Sequence, residues 1–251
     1  MPRTDPSSDR VLIGCCGFPV ARARCYRELE LVEVQQTFYE PPSPSVAARW
    51  RAEAPSGFTF TLKAWQLITH PPSSPTYRRL RSPLTGPADA YGRFRPSPEV
   101  MAAWERTLEV AVALEAPIVV FQCPPSFAPG PESLENLRAF FGRVERGGLT
   151  FVWEPRGAWP DPVVAALCRE LDLVHGVDPL VARELAGGIA YFRLHGIGGY
   201  RYRYTEADLY RLRQRCREAA EAGRRPVHVL FNNLGMLDAA REFAALLGQP
   251  G

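Results

Sequence analysis

The chain has 251 residues, 46% of them hydrophobic and 23% charged, with a formal net charge of +3. That balance fits a soluble globular protein with a sizeable core, and the charge alone is too small for a nucleic-acid or membrane-surface footprint. The opening MPRTDPSSDR has no apolar core for export, and VAVALEAPIVVF is broken by Glu115 and Pro117. Neither a signal peptide nor a membrane span is expected, and the expected location is the cytoplasm.

Residues 1–10 read as an extended or disordered start. After them, short β-branched or aromatic runs alternate with amphipathic stretches. The runs are VLIG (11–14), LVEVQ (31–35), FTFTLK (58–63), IVVFQ (118–122), TFVWE (150–154), LVHGV (173–177), AYFRLH (190–195) and VHVLFN (227–232). Ser43-Pro44 opens a helix through Trp50 that stops before Pro55-Ser56-Gly57. Ser97-Pro98-Glu99 opens another that continues to about Glu115. Thr205-Glu206-Ala207-Asp208 has the form of a capping box, with Gly223 closing its helix. Strand then helix, eight times over, predicts a single-domain α/β (β/α)8 TIM barrel over 11–248. Periodicity does not report closure, so a doubly wound open sheet is the alternative.

Six cysteines, at 15, 16, 25, 123, 168 and 216, include no CxxC pair. Buried free thiols are expected, with a disulfide from Cys15 or Cys16 to Cys25 or Cys123 as the alternative for a hyperthermophile. The 25 prolines and the near absence of lysine fit a heat-adapted source or a GC-rich genome. Of 30 Lys and Arg residues, Lys63 is the one lysine. A compact ammonium is kept where arginine is used everywhere else, which marks Lys63 for a specific task.

In such a barrel, polar groups at the C-terminal strand ends converge on one mouth. Those ends read Glu33 and Gln35, Lys63, Gln122, Glu154 and Arg156, Asp178, Arg193 and His195, then Asn232 and Asn233. Residues two apart share a face. That groups Thr61 with Lys63, Tyr191 with Arg193 and His195, Glu33 with Gln35, and Glu154 with Arg156. Lone strand-end charges favour a structural role, but a set drawn from most of the strands favours a binding site. Lys63 is expected beside Glu154, His195 and Arg193.

The segment VEVQQTFYEPPSPSVAARWRAEAPSGFTFTLKAWQLITH resembles the YecE-like family, domain of unknown function 72, in its Glu-x-x-x-Thr-Phe-Tyr run and its Lys-Ala strand end followed by Ile-Thr-His. FQCPPSF, WEPRGAW, YFRLHG and FNN resemble further family motifs, so the likeness spans about residues 11–245. It implies a TIM barrel, and it marks Glu33, Thr37, Tyr39, Lys63, Thr69, His70, Gln122, Glu154, Arg156, Arg193, His195, Asn232 and Asn233. Gln35-Gln36, Pro155, Gly157 and the Gly-Cys-Cys-Gly start at 14–17 depart from the family pattern.

Two loops frame the expected mouth. Residues 71–97 carry Arg78, Arg79, Arg81, Arg93 and Arg95 among many prolines. Their length suits an ordered lid over the mouth or a solvated basic loop. After the seventh strand, HGIGGYRYRYTE sets three glycines before Tyr200, Arg201, Tyr202, Arg203 and Tyr204. Loops after the seventh and eighth strands of this fold often hold phosphate.

Three functions compete. The first is an enzyme, of hydrolase or lyase/isomerase type, on an anionic small molecule. Arg193 and Arg156 would clamp the anion, Glu154 or His195 would move a proton, and Lys63 would stabilise negative charge or form a Schiff base. Glu33, Gln35, Tyr39, Thr69, His70, Gln122, Tyr202, Tyr204, Asn232 and Asn233 complete the expected substrate-binding set. The second is a barrel hydrolase or isomerase with at most one divalent metal ion on Glu154, Asp178 and His195. The third is a nucleic-acid-binding barrel using the Arg/Tyr loops.

Overall fold

A computed structural model describes residues 10–248; apart from Arg10, the expected N-terminal extension lies outside the described residues. Eight parallel strands form a closed barrel in chain order: β1 Val11–Cys16, β2 Leu31–Val34, β3 Thr59–Lys63, β4 Ile118–Gln122, β5 Thr150–Glu154, β6 Val174–Val177, β7 Ala190–Leu194 and β8 Val227–Phe231. Closure decides between barrel and open sheet, because β1 pairs on one side with β2 (Gly14 opposite Leu31) and on the other with β8 (Val11 opposite Val227).

The helices begin where their capping residues place them. Ser97 accepts a hydrogen bond from the Val100 N–H with Pro98 in the first turn, and the helix Pro98–Leu114 ends because Glu115 adopts a left-handed φ of 53°. Thr205 and Asp208 form the expected reciprocal capping box at the head of the helix Glu206–Glu221. Two four-residue helical turns, Gln36–Tyr39 after β2 and Gln66–Thr69 after β3, add to the expected elements.

The barrel chain gathers into two compact units, one from residues 10–33, 54–59 and 174–248, the other from 34–53 and 60–173. In the first, Phe192 on β7, Val229 and Phe231 on β8, and Phe243 of the helix Met236–Leu246 have no exposed surface. In the second, Trp104, Phe121, Phe140 and Phe151 pack with ring centroids 5.1–6.3 Å apart. The edge-on pairs among these contribute roughly 0.5–1.5 kcal/mol each beyond their buried area.

All six cysteines are free and buried. Burial raises the Cys168 and Cys216 thiols to about 12, which leaves them as inert core groups.

The 71–97 segment is ordered and fastened, not a solvated basic loop. Glu40 accepts hydrogen bonds from the Arg81 N–H at 3.1 Å, the Ser82 N–H at 3.4 Å and the Ser82 hydroxyl at 2.6 Å. The Tyr77 hydroxyl donates to the His70 carbonyl at 2.9 Å. Tyr91 is buried, with its hydroxyl accepting from Thr85 and Gly86 N–H groups. Phe94, fully buried, stacks among Phe121, Phe127 and Phe140. The prolines and aromatics therefore anchor the segment, while its arginines Arg78, Arg79 and Arg81 stay exposed.

Candidate functional site

In the second unit, the end of β3 carries Lys63, only 7% exposed. The turn Gln36–Tyr39 is held against it, because the Thr37 hydroxyl donates to the Lys63 carbonyl at 2.7 Å. That turn delivers Phe38, and the Lys63 ammonium lies 3.7 Å from the Phe38 ring centroid. A desolvated cation on an aromatic face gains about 2 kcal/mol from the ring quadrupole. The turn Gln66–Thr69 brings His70 edge-on to the same ring, with centroids 4.8 Å apart. Burial, reinforced by the Lys63 charge, lowers the His70 pKa from the ordinary 6.5 to about 3, so its imidazole is neutral at physiological pH. Its Nδ1 is 2.7 Å from the Thr69 hydroxyl, which fixes the ring.

Tyr39 holds the turns together: its carbonyl accepts from Trp65 Nε1 at 3.2 Å and Gln66 Nε2 at 3.0 Å, and Arg79 stacks 3.5 Å over its ring centroid. Gln35 starts the helical turn with αR backbone, so the alternation that grouped it with Glu33 stops at Val34. At the end of β5, Glu154 is buried and accepts from Arg156 Nη1 at 2.9 Å, while Arg156 remains 37% exposed. Cys123, after β4 and its half-buried Gln122, lies within electrostatic reach of both Glu154 and Lys63. Gly157, a departure from the family pattern, is required by packing: a Cβ there would sit 2.4 Å from the Phe127 carbonyl oxygen.

The first unit is organised differently. Arg193 and Glu33 have no exposed surface. Arg193 Nε donates to Glu33 Oε2 at 2.9 Å and Nη2 to Oε1 at 2.7 Å, and the Tyr191 hydroxyl donates to Oε2 at 2.9 Å. The forked pair occupies the guanidinium edge that an anion would need. Arg193 is thus a buried structural cation, and the expected anion clamp is corrected on that ground.

Asp178 is engaged by backbone donors. Its Oδ2 accepts from the His195 backbone N–H at 2.9 Å and its Oδ1 from the Leu180 N–H at 3.1 Å. Among the described residues, no three His, Cys, Asp or Glu side chains are grouped as metal ligands would be. The expected set of Glu154, Asp178 and His195 is not assembled. His195 is half-buried, and Asn232 Nδ2 stands 3.1 Å from its Nδ1.

The GYRYRY loop also turns inward. Tyr202 donates to Asp208 at 2.6 Å, and Tyr204, 8% exposed, packs edge-on against Phe231. Tyr200, at 53% exposed, keeps an open face. Two of the three tyrosines expected to stack bases are therefore committed to the protein. Phe38 was not among the expected site residues, while Arg201 and Arg203 entered only through the loop expected to hold phosphate or nucleic acid. Phe38 reads in sequence as one more core aromatic until the turn after β2 places it.

Solved structures with this architecture include a DUF72 family protein from Enterococcus faecalis, 17% identical with a TM-score of 0.77, the match covering 97% of this chain and 100% of that one. A DUF72 family protein from Thermotoga maritima is 18% identical with a TM-score of 0.67, over 96% of this chain and 100% of that one. Endonuclease IV from Thermus thermophilus is 14% identical with a TM-score of 0.51, over 97% and 99% of the two chains. At these identities the likeness is one of fold. No curated protein matches the sequence. A family model described as "Protein of unknown function DUF72" matches residues 23–250, and the chain belongs to that family.

Proposed function

We propose that this protein is an enzyme acting on an anionic small molecule, with Lys63 as the charge that receives it. The observation that carries this reading is the ammonium seated 3.7 Å over the Phe38 ring at a strand end, beside an imidazole held neutral at about 3. Strand C-terminal ends are where active sites sit in this fold. A cation at this strand end suits electrostatic stabilisation of developing negative charge, which is the assigned role ahead of Schiff-base chemistry. Glu154 is the proton carrier of the set, and Arg156, partly exposed, sets its charge environment.

The test is a screen of phosphorylated and carboxylated small molecules by calorimetry and turnover, with Lys63→Met as the background. At least one anion should bind the wild type and lose about tenfold or more in Lys63→Met. Lys63→Arg should fail to restore it. Covalent trapping of a carbonyl substrate by borohydride on Lys63 would replace electrostatics by Schiff-base chemistry. A folded Lys63→Met that matches wild type for every anion, yet binds nucleic acid with steep salt dependence, would overturn the enzyme reading in favour of a nucleic-acid-binding barrel.

A further inference from the structure

A cavity of about 640 Å³ opens in the first unit between the loop after β7 and the helix Met236–Leu246, lined by Arg201, Arg203, Tyr204, Asn233, Asp238 and Glu242 among others. Gly196 makes the loop fold back: its φ is 89°, and a Cβ there would meet the Gly199 carbonyl oxygen at 2.4 Å. Asn233, 1% exposed, donates through Nδ2 to the Tyr202 carbonyl at 2.6 Å and so pins the loop to the end of β8. Its Oδ1 is buried with no hydrogen-bond partner. A buried orphan acceptor costs about 1–3 kcal/mol, and here it belongs to a wall of the cavity.

Two kinds of recognition meet at this place. Arg201 and Arg203 are exposed guanidinium groups at one side. The Met236–Leu246 helix starts at Gly235 with no side-chain cap, and although the Asn233 carbonyl takes the Met236 N–H at 3.3 Å, the helix dipole favours negative charge at this end. Against these stand acceptors: Asn233 Oδ1 and the carboxylates of Asp238 and Glu242. Asp238 lies within electrostatic reach of Arg24, which offsets part of its repulsion toward an anion. A bare anion would satisfy the first group and repel the second. A ligand with one anionic head and several hydroxyl donors satisfies both.

We infer that this cavity binds a phosphorylated polyol, its phosphate on Arg201, Arg203 and the helix start, and its hydroxyls donating to Asn233 Oδ1 and the neighbouring carboxylates. The volume suits a ligand of sugar-phosphate size. The inference shares the anionic ligand class with the proposed function but does not depend on Lys63.

Calorimetry on the full chain with ribose 5-phosphate, ribose and methyl phosphate tests it. Ribose 5-phosphate should bind at least about tenfold tighter than either partial probe. Arg201→Ala/Arg203→Ala, at two exposed positions that leave the core alone, should weaken it about tenfold and reduce its salt dependence. Arg138→Ala, an exposed arginine outside both sites, should leave it within about twofold of wild type. No saturable binding of ribose 5-phosphate overturns the inference. Methyl phosphate binding equally well removes the polyol, and an unaffected double-arginine variant removes the site. Loss in Lys63→Met with none in the double-arginine variant assigns the ligand to Lys63 instead. Failure of the Lys63 reading would leave the arginine result standing.

Discussion

Glu33→Gln isolates what the buried ion pair does. Glutamine keeps the shape of Glu33 but brings no charge, and its amide offers one acceptor oxygen where the carboxylate uses two. The carboxylate now takes Arg193 bonds of 2.9 and 2.7 Å and a Tyr191 bond of 2.9 Å, with both charged residues fully buried. At least one charged hydrogen bond, worth about 1.5–3 kcal/mol, is lost. The guanidinium also loses its neutralising carboxylate, and breaking such a buried pair costs about 3–5 kcal/mol in all. That is a large share of the roughly 5–15 kcal/mol that holds a domain folded. Urea unfolding at neutral pH, followed by tryptophan fluorescence, should show it. Arg193→Met should be similarly damaging, and Glu33→Gln/Arg193→Met less so than the two single losses together. A Glu33→Gln protein within about 1 kcal/mol of wild type would refute the structural role, and with it the removal of Arg193 from the substrate-binding set.

Acid should destabilise the fold well above the carboxylate range, because His70 is lowered to about 3 and His228 to about 4, both chiefly by burial. A histidine with a depressed folded pKa binds its proton more readily when unfolded, so stability is complete above about pH 7 and falls as pH drops through 6.5. At pH 5 each histidine should have removed about 2 kcal/mol. Urea midpoints at pH 7.5 and 5 should show the loss, with about half of it gone in His70→Gln or His228→Gln; an unchanged pH dependence in both variants contradicts the assignment. Glu40→Ala should release the 71–97 segment, since its carboxylate receives three hydrogen bonds from Arg81 and Ser82. Tryptic cleavage after Arg78, Arg79 and Arg81 should accelerate about tenfold while global stability moves by less than about 0.5 kcal/mol; cleavage at the wild-type rate would mean that the segment is held elsewhere.

Local pattern carried the barrel. The run read over 58–63 forms as Thr59–Lys63, and that over 190–195 as Ala190–Leu194, because alternation and turn residues act within a few positions of each other. The site was legible only to the same range. Alternation put Tyr191 and Arg193 on one face, as their common partner Glu33 shows, but that partner lies 160 residues away from Arg193. Such a pairing is set by how the sheet closes, which no window of sequence contains. The turns Gln36–Tyr39 and Gln66–Thr69 are four residues each, too short for a helical period to register. They nevertheless bring Phe38 and His70 to Lys63, so the most informative contact of the site was the least visible one.

The structure also explains the use of a single lysine. Arginines stack on rings elsewhere in the chain, Arg51 at 5.1 Å from the Phe60 centroid, Arg79 at 3.5 Å from Tyr39 and Arg146 at 4.5 Å from Phe151. Arg51 and Arg146 keep side-chain exposures of 14% and 28%, and Arg79 is exposed. Their remaining N–H donors can reach water. Arg193, with no exposure, gives Nε and Nη2 donors to a forked carboxylate. Lys63 at 7% exposure sits on a ring face, where a guanidinium would bring five donors in a fixed plane against three rotatable ones for an ammonium. On ring faces the chain places arginine where exposure leaves the fork a route to water, and the compact cation on the nearly closed Phe38 face. Lys63→Arg is therefore a change of geometry as much as of size, and it should disturb the Phe38 turn before it disturbs the barrel.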